Sequence, residues 1–300
     1  MAYHLPVMAR QCVDYLLRDP NGAYVDATFG GGGHSRLILN ELEDGGKLFG
    51  FDQDEDALAN VPEDERFTFV HHNFRMLRRF LKLHGQRSVD GILADLGVSS
   101  HQLDVAERGF SFRFDAQLDM RMNQQQEKTA ADFVNQLSAE ELQQLFSDYG
   151  EVRNAKTLAQ QIAEQRQGRR IETIADFLAI VDPLVRGNRA RYLAQVFQAL
   201  RIAVNDEMGA LQDFLQQALE VLKPGGRLVI MSYHSLEDRA VKNFLKAGNL
   251  AGEQQKDFYG NIHRPFKVLT KKAVVPDDEE QKTNPRSRSA KLRVGEKKTA

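Results

Sequence analysis

The sequence predicts an α/β fold of the Rossmann type, a largely parallel sheet interrupted by an all-helical inserted domain. Three observations carry this. The first hundred residues alternate short apolar runs with helical patterns, at the roughly 30-residue repeat of βαβ units. A run of glycines directly follows the first strand and opens a helix. From about Asp104 to Asn205 no convincing strand appears, which reads as an all-helical insertion, after which strand signals resume.

Ala23–Ala27 reads as a short buried strand and His34–Glu41 as the helix after the glycines. Lys47–Asp52, Phe67–His72 and Val89–Leu96 read as further strands, separated by helices at Glu55–Asn60 and Met76–Leu83. Right-handed crossovers are expected. Inside the insertion, Ser138 and Glu141 form the capping box of a helix that runs to Tyr149. Lys156–Gln165, Thr173–Val181 and Arg189–Val204 carry helical patterns as well. Asp206–Leu222 is amphipathic, Lys223–Gly226 reads as a turn, and Arg227–Ser232 as a fifth strand followed by a helix over Leu236–Leu245. Strands near Phe266–Thr270 and Ala290–Val294 complete the sheet, with a polar loop between them. The expected division is a discontinuous domain of residues 1–104 and 206–300 around a helical insertion of residues 105–205.

Composition bounds the function. The chain has 300 residues, 42% of them hydrophobic and 27% charged, with a net charge of -2. That allows a sizeable core and argues against global disorder. Basic charge is concentrated in the last twenty residues, which hold seven Lys or Arg and one acid, Glu296. Cys12 is the single cysteine, so an intrachain disulfide is excluded and a reducing, cytoplasmic setting is expected. No apolar run reaches the ~18 to 20 residues of a membrane span, and the N-terminus lacks the pattern of a signal peptide. The eight histidines include no pair at helical metal spacing, so no metal site is expected.

The chemistry begins where the first strand ends. Asp26 is followed by Ala-Thr-Phe and then Gly30 to Gly33. Glycines there let backbone approach a ligand and leave helix N–H groups aimed at it. Asp52, twenty-two residues past Gly30, ends the second strand, where an acid binds a ribose diol. Together they indicate an adenosine held by its ribose. Asp26 would repel a pyrophosphate and attract the ammonium of a methionine moiety, which favours S-adenosylmethionine over NAD. Asp95 ends the fourth strand, placed to accept a hydrogen bond from the cofactor or from an amine substrate.

The segments His4-Leu5-Pro6-Val7, DATFGGGGHS, FDQD, ADLGVSSHQLD, ERGFSF, LDMRM and SYHSLEDR, closing with NPRSRSAKLR, resemble the RsmH (MraW) family nearly end to end. That family methylates the N4 amine of a cytosine in the decoding region of bacterial 16S ribosomal RNA. The resemblance implies a methyltransferase domain interrupted by a helical domain, 16S rRNA within the small subunit as partner, and S-adenosylmethionine as cofactor. It also implies cofactor contacts from Gly32, Gly33, His34, Asp52, Phe74, Asp95 and Gln102. The chain departs from the family pattern at Ala194-Gln195, where Thr-Arg is usual, and at Asn123, where Asp is common. These changes bear on substrate fit rather than on reaction type.

Methyl transfer from a sulfonium is an in-line displacement that mainly requires alignment. A cytosine amine is a poor nucleophile, so an acceptor for its N–H helps. Asp95, Ser99 and His234 are the candidates, with Ser235 expected to cap the following helix through Asp238. Methylation at cytosine C5 would require a thiolate, and Cys12 lies far in sequence from any strand end. For RNA, Arg108, Arg113 and Arg121 flank Phe110, Phe112 and Phe114, mixing phosphate partners with stacking surfaces. A methyltransferase acting on a small molecule or protein, a non-catalytic RNA-binding protein and an NAD dehydrogenase are the rival readings. The sequence does not fix an oligomeric state.

Overall fold

The computed structural model describes residues 6–254, 256, 258, 260–262 and 264–299, so His4 and Leu5 of the first motif lie outside the described residues. In chain order come α1 (Ala9–Leu16), β1 (Ala23–Asp26), α2 (Gly33–Glu41), β2 (Lys47–Asp52), β3 (Phe67–His71), α3 (Leu77–Leu83) and β4 (Val89–Asp95). The helices α4 (Ser100–Asp104), α5 (Ala130–Gln136), α6 (Ala139–Gly150), α7 (Ala155–Gly168), α8 (Ile174–Val181), α9 (Arg189–Val204) and α10 (Glu207–Val221) follow. The chain then forms β5 (Leu222–Ser232), α11 (Ser235–Ala247), β6 (Phe266–Val268), α12 (Asp278–Thr283) and β7 (Lys291–Lys297). Two compact units result, one of Met1–Gly97 with Gly209–Ala300, the other of Val98–Met208.

The first unit is a seven-stranded sheet in the order β3-β2-β1-β4-β5-β7-β6. β1 pairs in parallel with β2 and β4, and β2 with β3 and β4 with β5 likewise. Only β7 is reversed, antiparallel to both β5 and β6. This is the Rossmann-like α/β arrangement. Strand order moves outward from β1 to β3 and then resumes on the other side at β4. The β1/β4 boundary is therefore the switch point, and the crevice beyond its carboxyl ends is where such sheets bind ligands. Asp26 and Asp95 end those two strands.

α1 escaped the sequence reading because it is short and lacks a side-chain cap, starting from Met8 at φ 49. It is held by burial of Cys12, Val13 and Leu16. A Cβ on Gly91 of β4 would sit 2.8 Å from Leu16 Cδ1, so glycine is what lets α1 lie this close. α12, expected as loop, is also helical. It has no buried residue to betray it; Asp277 caps it, and Glu280 Oε1 accepts the Met8 N–H at 2.6 Å. The expected turn at Lys223–Gly226 is an irregularity inside a longer β5. Its register against β4 shifts between Val89↔Leu222 and Gly91↔Arg227, with Gly225 at φ 80.

The second unit is built on an apolar core that includes Phe146, Phe177, Leu193 and Leu200. Val98 and Leu103 pack against this core, which is why the unit begins ahead of residue 105. Capping boxes start four of its helices: Ser99 with Gln102, Thr129 with Asp132, Ser138 with Glu141, and Thr173 with Asp176. Its β structure among the described residues is the isolated bridge Gln117↔Thr173.

Candidate active site

The site grows from the carboxyl ends of β1, β2, β4 and β5 in the first unit. After β1 the chain turns through Gly30 at φ 51 and Gly32 at φ 72, left-handed positions that favour glycine. A Cβ on Gly32 would meet the Phe29 ring at 2.9 Å, and one on Gly33 would meet Pro6 at 3.1 Å. Nothing lies within 4 Å of a Cβ built on Gly31. The loop is thus backed by Phe29 and Pro6 and open on its Gly31 side, where the positive end of α2 suits an anion.

Asp52 holds this loop. Its Oδ2 accepts Gly30 N–H at 2.7 Å and its Oδ1 accepts Asp54 N–H at 2.9 Å. Burial pushes its carboxyl up to about 6, against the pull of these backbone donors. Each oxygen keeps a lone pair, which is the acceptor pattern a ribose diol needs. Next to it, Gln53 accepts from Asn73 Nδ2 at 2.9 Å, tying the ends of β2 and β3. Phe74 follows, half-buried, with its ring edge-on to Phe214 at 5.1 Å.

Asp26, read from the sequence as the acid for an ammonium, is tied to the chain at both oxygens. It is buried, its Oδ2 accepts the Ser35 hydroxyl at 2.7 Å, and its Oδ1 accepts Thr28 N–H at 3.2 Å. Each oxygen accepts one bond from the chain and keeps a second lone pair, as in Asp52, so Asp26 braces the start of α2 and retains accepting capacity. Burial raises its pKa.

Asp95 has one carboxylate oxygen with no hydrogen bond to the chain among the described residues. Its N–H donates to Thr28 Oγ1 at 2.6 Å, and its Oδ1 accepts the Tyr233 hydroxyl at 2.7 Å. Oδ2 lies 4.0 Å from His34 Nδ1, beyond hydrogen-bond distance. The side chain is 24% exposed. Burial raises its carboxyl to about 6, opposed by His34 and the Tyr233 hydrogen bond and reinforced by Asp26 and Glu237. The buried His34 places Nε2 3.1 Å from the Val7 carbonyl. A carbonyl only accepts, so Nε2 carries the proton there.

The structure brings Gly32, Gly33, His34, Asp52 and Asp95 together at the carboxyl ends of β1, β2 and β4, and sets Phe74 just past β3, next to the Asn73 bond to Gln53. His234 proves to be the cap of α11, in place of Ser235: its Nδ1 accepts Glu237 N–H at 3.4 Å and its side chain is 7% exposed. Asp238 instead accepts from Arg293 at 2.6 Å. Ser99 and Gln102 belong to the second unit and cap α4 reciprocally. Gln102 N–H donates to Ser99 Oγ at 3.1 Å, and Ser99 N–H to Gln102 Oε1 at 3.0 Å. The catalytic candidates His234 and Ser99, and Gln102 from the cofactor set, therefore have structural employment that the sequence did not reveal.

Two of the three arginines read as RNA partners are internal clamps. Arg108 is buried, donating to the carbonyls of Arg121 and Met122 at 3.0 and 3.1 Å. Arg121 grips Asp119 at 2.7 and 2.8 Å and the carbonyls of Gln124 and Gln126. Phe110 is buried, and Phe112 packs edge-on to Phe197 at 5.4 Å. Arg113 is 56% exposed and lies over Phe114, itself 40% exposed, at 5.5 Å.

Sequence reasoning missed Tyr233, Thr28 and Ser35. Each lies within one of the sequence motifs, but its partner comes from another strand or from the next turn. It also left Cys12 at a distance from strand ends. The structure buries that thiol, with Sγ 3.7 Å from Met231 Sδ, and burial raises its pKa well above the ordinary thiol value.

The MraW methylase family matches residues 1–298. A ribosomal RNA small subunit methyltransferase H of Bacteroides fragilis (strain YCH46) is 57% identical over 297 residues, covering 99% of this chain and 98% of that protein. The protein of the same name from Flavobacterium johnsoniae is 56% identical over 298 residues, with the same coverages of 99% and 98%. That from Cytophaga hutchinsonii is 52% identical over 298 residues, covering 98% and 99%. A match that runs through both units and both chain ends at such identity leaves one assignment: the chain belongs to the MraW methylase family.

Proposed function

We propose that this chain transfers a methyl group from S-adenosylmethionine to ribosomal RNA of the small subunit, at the exocyclic N4 amine of a cytosine in the decoding region. The methyl donor is S-adenosylmethionine, which supplies an electrophilic methyl carbon on a sulfonium. The crevice fits it. Gly30 to Gly33 give open backbone and the positive end of α2 for a carboxylate, Asp52 offers both oxygens to a ribose diol, and half-buried Phe74 offers an apolar wall.

The observation that carries the amine reading is Asp95. It stands at the switch point with Oδ1 engaged and Oδ2 unspent. A carboxylate there accepts an N–H, helps the amine nitrogen rehybridise, and takes up the proton released on methylation. Attack through a thiol is disfavoured, because Cys12 is buried with its thiolate destabilised. Cys12→Ala is accordingly expected to keep rRNA methylation within about twofold, measured by methyl incorporation; loss of methylation with the fold intact would revive C5 chemistry.

The helical unit of residues 98–208 is assigned to RNA recognition, with Arg113 and Phe114 as its accessible phosphate and stacking pair. Arg113→Ala is expected to weaken RNA binding and reduce the slope of log affinity against log salt by about 1, since one phosphate contact disappears. Equal affinity and slope in wild type and variant remove Arg113 from the interface. The target base must enter the crevice, so it is unpaired or flipped. The site of methylation is tested by mass spectrometry of rRNA nucleosides from a deletion strain, with and without the restored gene. N4-methylated cytidine that disappears and returns with the gene is expected; an unchanged nucleoside profile sinks the reading.

A further inference from the structure

We propose that Tyr233 is a positioning residue for Asp95, its hydroxyl fixing Oδ1 so that Oδ2 is the oxygen presented to the N–H of the amine being methylated. This rests on the amine reading above and names a residue that reading does not require. Tyr233 follows β5 directly, and the β4–β5 register sets Asp95 opposite Met231. The residue two beyond Met231 therefore comes level with the Asp95 side chain. Its backbone is anchored, the Tyr233 N–H donating to Glu237 Oε2 at 2.9 Å. Its ring lies 3.7 Å from where a Cβ on Gly97 would be, and it packs against the apolar cluster beneath the sheet. The 2.7 Å bond from its hydroxyl to Asp95 Oδ1 is thus held from both ends.

The chemistry of the donor matters. A lysine or arginine at this place would pair with the carboxylate, lower its basicity and compete with the substrate amine. A phenol is neutral, and burial beside Asp95 keeps its proton on the oxygen. It orients the carboxylate while leaving its negative charge. Around Asp95 stand His34, Asp26, Glu237 and Cys12. His34 Nδ1 lies 4.0 Å from Oδ2, its ring fixed by the Val7 carbonyl. As the N4 lone pair forms the bond to the methyl carbon, the carbon–sulfur bond would break with its pair left on sulfur, and one N–H bond breaks with its electron pair staying on nitrogen. An O–H bond forms at Asp95 Oδ2, and the proton then leaves to solvent through the exposed edge of that side chain.

The test is Tyr233→Phe in the full-length protein, an exchange that removes one oxygen and keeps the ring. The kcat for methylation of undermodified small-subunit rRNA is expected to fall about tenfold with KM for RNA unchanged. The acid limb of the kcat profile is expected to move up by about one pH unit, because loss of a charge-assisted donor makes the carboxylate more basic. In an Asp95→Asn background the same exchange is expected to change nothing further. An unshifted profile in an active variant, or an equal tenfold loss without the Asp95 carboxylate, overturns the proposal. Carbon-13 NMR titration of the Asp95 carboxyl in wild type and variant reads the coupling without turnover, and equal midpoints also overturn it. A wild-type protein that leaves rRNA unmethylated defeats the functional reading instead, while the NMR midpoints still decide the coupling.

Discussion

Replacing Asp52 by alanine is expected to weaken S-adenosylhomocysteine binding by about a hundredfold, as measured by calorimetry, with secondary structure retained. The loss has two parts. The ribose hydroxyls lose a charged acceptor, where hydrogen bonds to an ion are worth about 1.5–3 kcal/mol each. The glycine loop also loses its tether, since Asp52 accepts from Gly30 and Asp54 through its two oxygens. Asparagine is not a faithful substitute. Whichever way its amide turns, the NH2 group faces one of two backbone N–H donors, and a donor meets a donor. Asp52→Asn is therefore expected to bind little better than Asp52→Ala. A variant that binds within threefold of wild type would show that the ribose is held elsewhere.

The same carboxylate predicts a pH dependence. Burial raises Asp52 to about 6, so below that pH the group is increasingly protonated and ceases to be a double acceptor. Cofactor affinity is expected to fall by up to about tenfold per pH unit below 6, where one deprotonation is required. The free protein moves the other way through this group. Its folded pKa lies above the ordinary Asp value, so its contribution to stability is full at low pH and is lost as pH rises through about 6. Opposed trends for binding and for thermal stability of the ligand-free protein are a signature that a surface carboxylate would not give.

How much of this was legible in the sequence depended on whether a residue's partner lay nearby in the chain. The glycine loop and Asp52 could be read because a strand, a turn and the next strand end are a local pattern. Asp95 could be read because strand ends are where open sheets bind. Tyr233 could not, since its partner is set by the register of β4 on β5. Asp26 could be read as a strand-end acid, but its bonds to Ser35 and Thr28, which brace the start of α2, could not. Helices with apolar faces were found. α12 was not, because its cap and the Glu280 bond to Met8 hold it without buried side chains. The arginines show the sharpest ambiguity. A guanidinium beside phenylalanines suits phosphate and base, and equally suits buried carbonyls, and composition cannot tell the two apart.

Arg108 resolves that ambiguity in a measurable way. Its Nη2 bridges two carbonyls, its guanidinium lies 5.9 Å over the Phe110 ring, and it is 6% exposed. The carbonyls belong to a stretch pinned at Met120 and Met122 by Asn205, at 2.8 and 2.7 Å, so the clamp ties residues 108–122 to the end of α9. Arg108→Ala removes the guanidinium donor from one buried and one part-buried carbonyl and opens a cavity, and is expected to destabilise the helical unit by on the order of 3 kcal/mol. At about 4–8 °C per kcal/mol for a small domain, or half that for a larger one, its calorimetric transition should drop by roughly 10 °C. Amides of residues 108–122 should lose hydrogen-exchange protection first. Lysine is not expected to restore it, because one ammonium on a flexible stem does not reproduce a planar fork spanning two carbonyls. Arg113→Ala should show the opposite pattern, a shallower salt dependence with little change in thermal stability. An Arg108→Ala protein with an unchanged transition and a flattened salt slope would move that side chain out of the interior and back to the RNA.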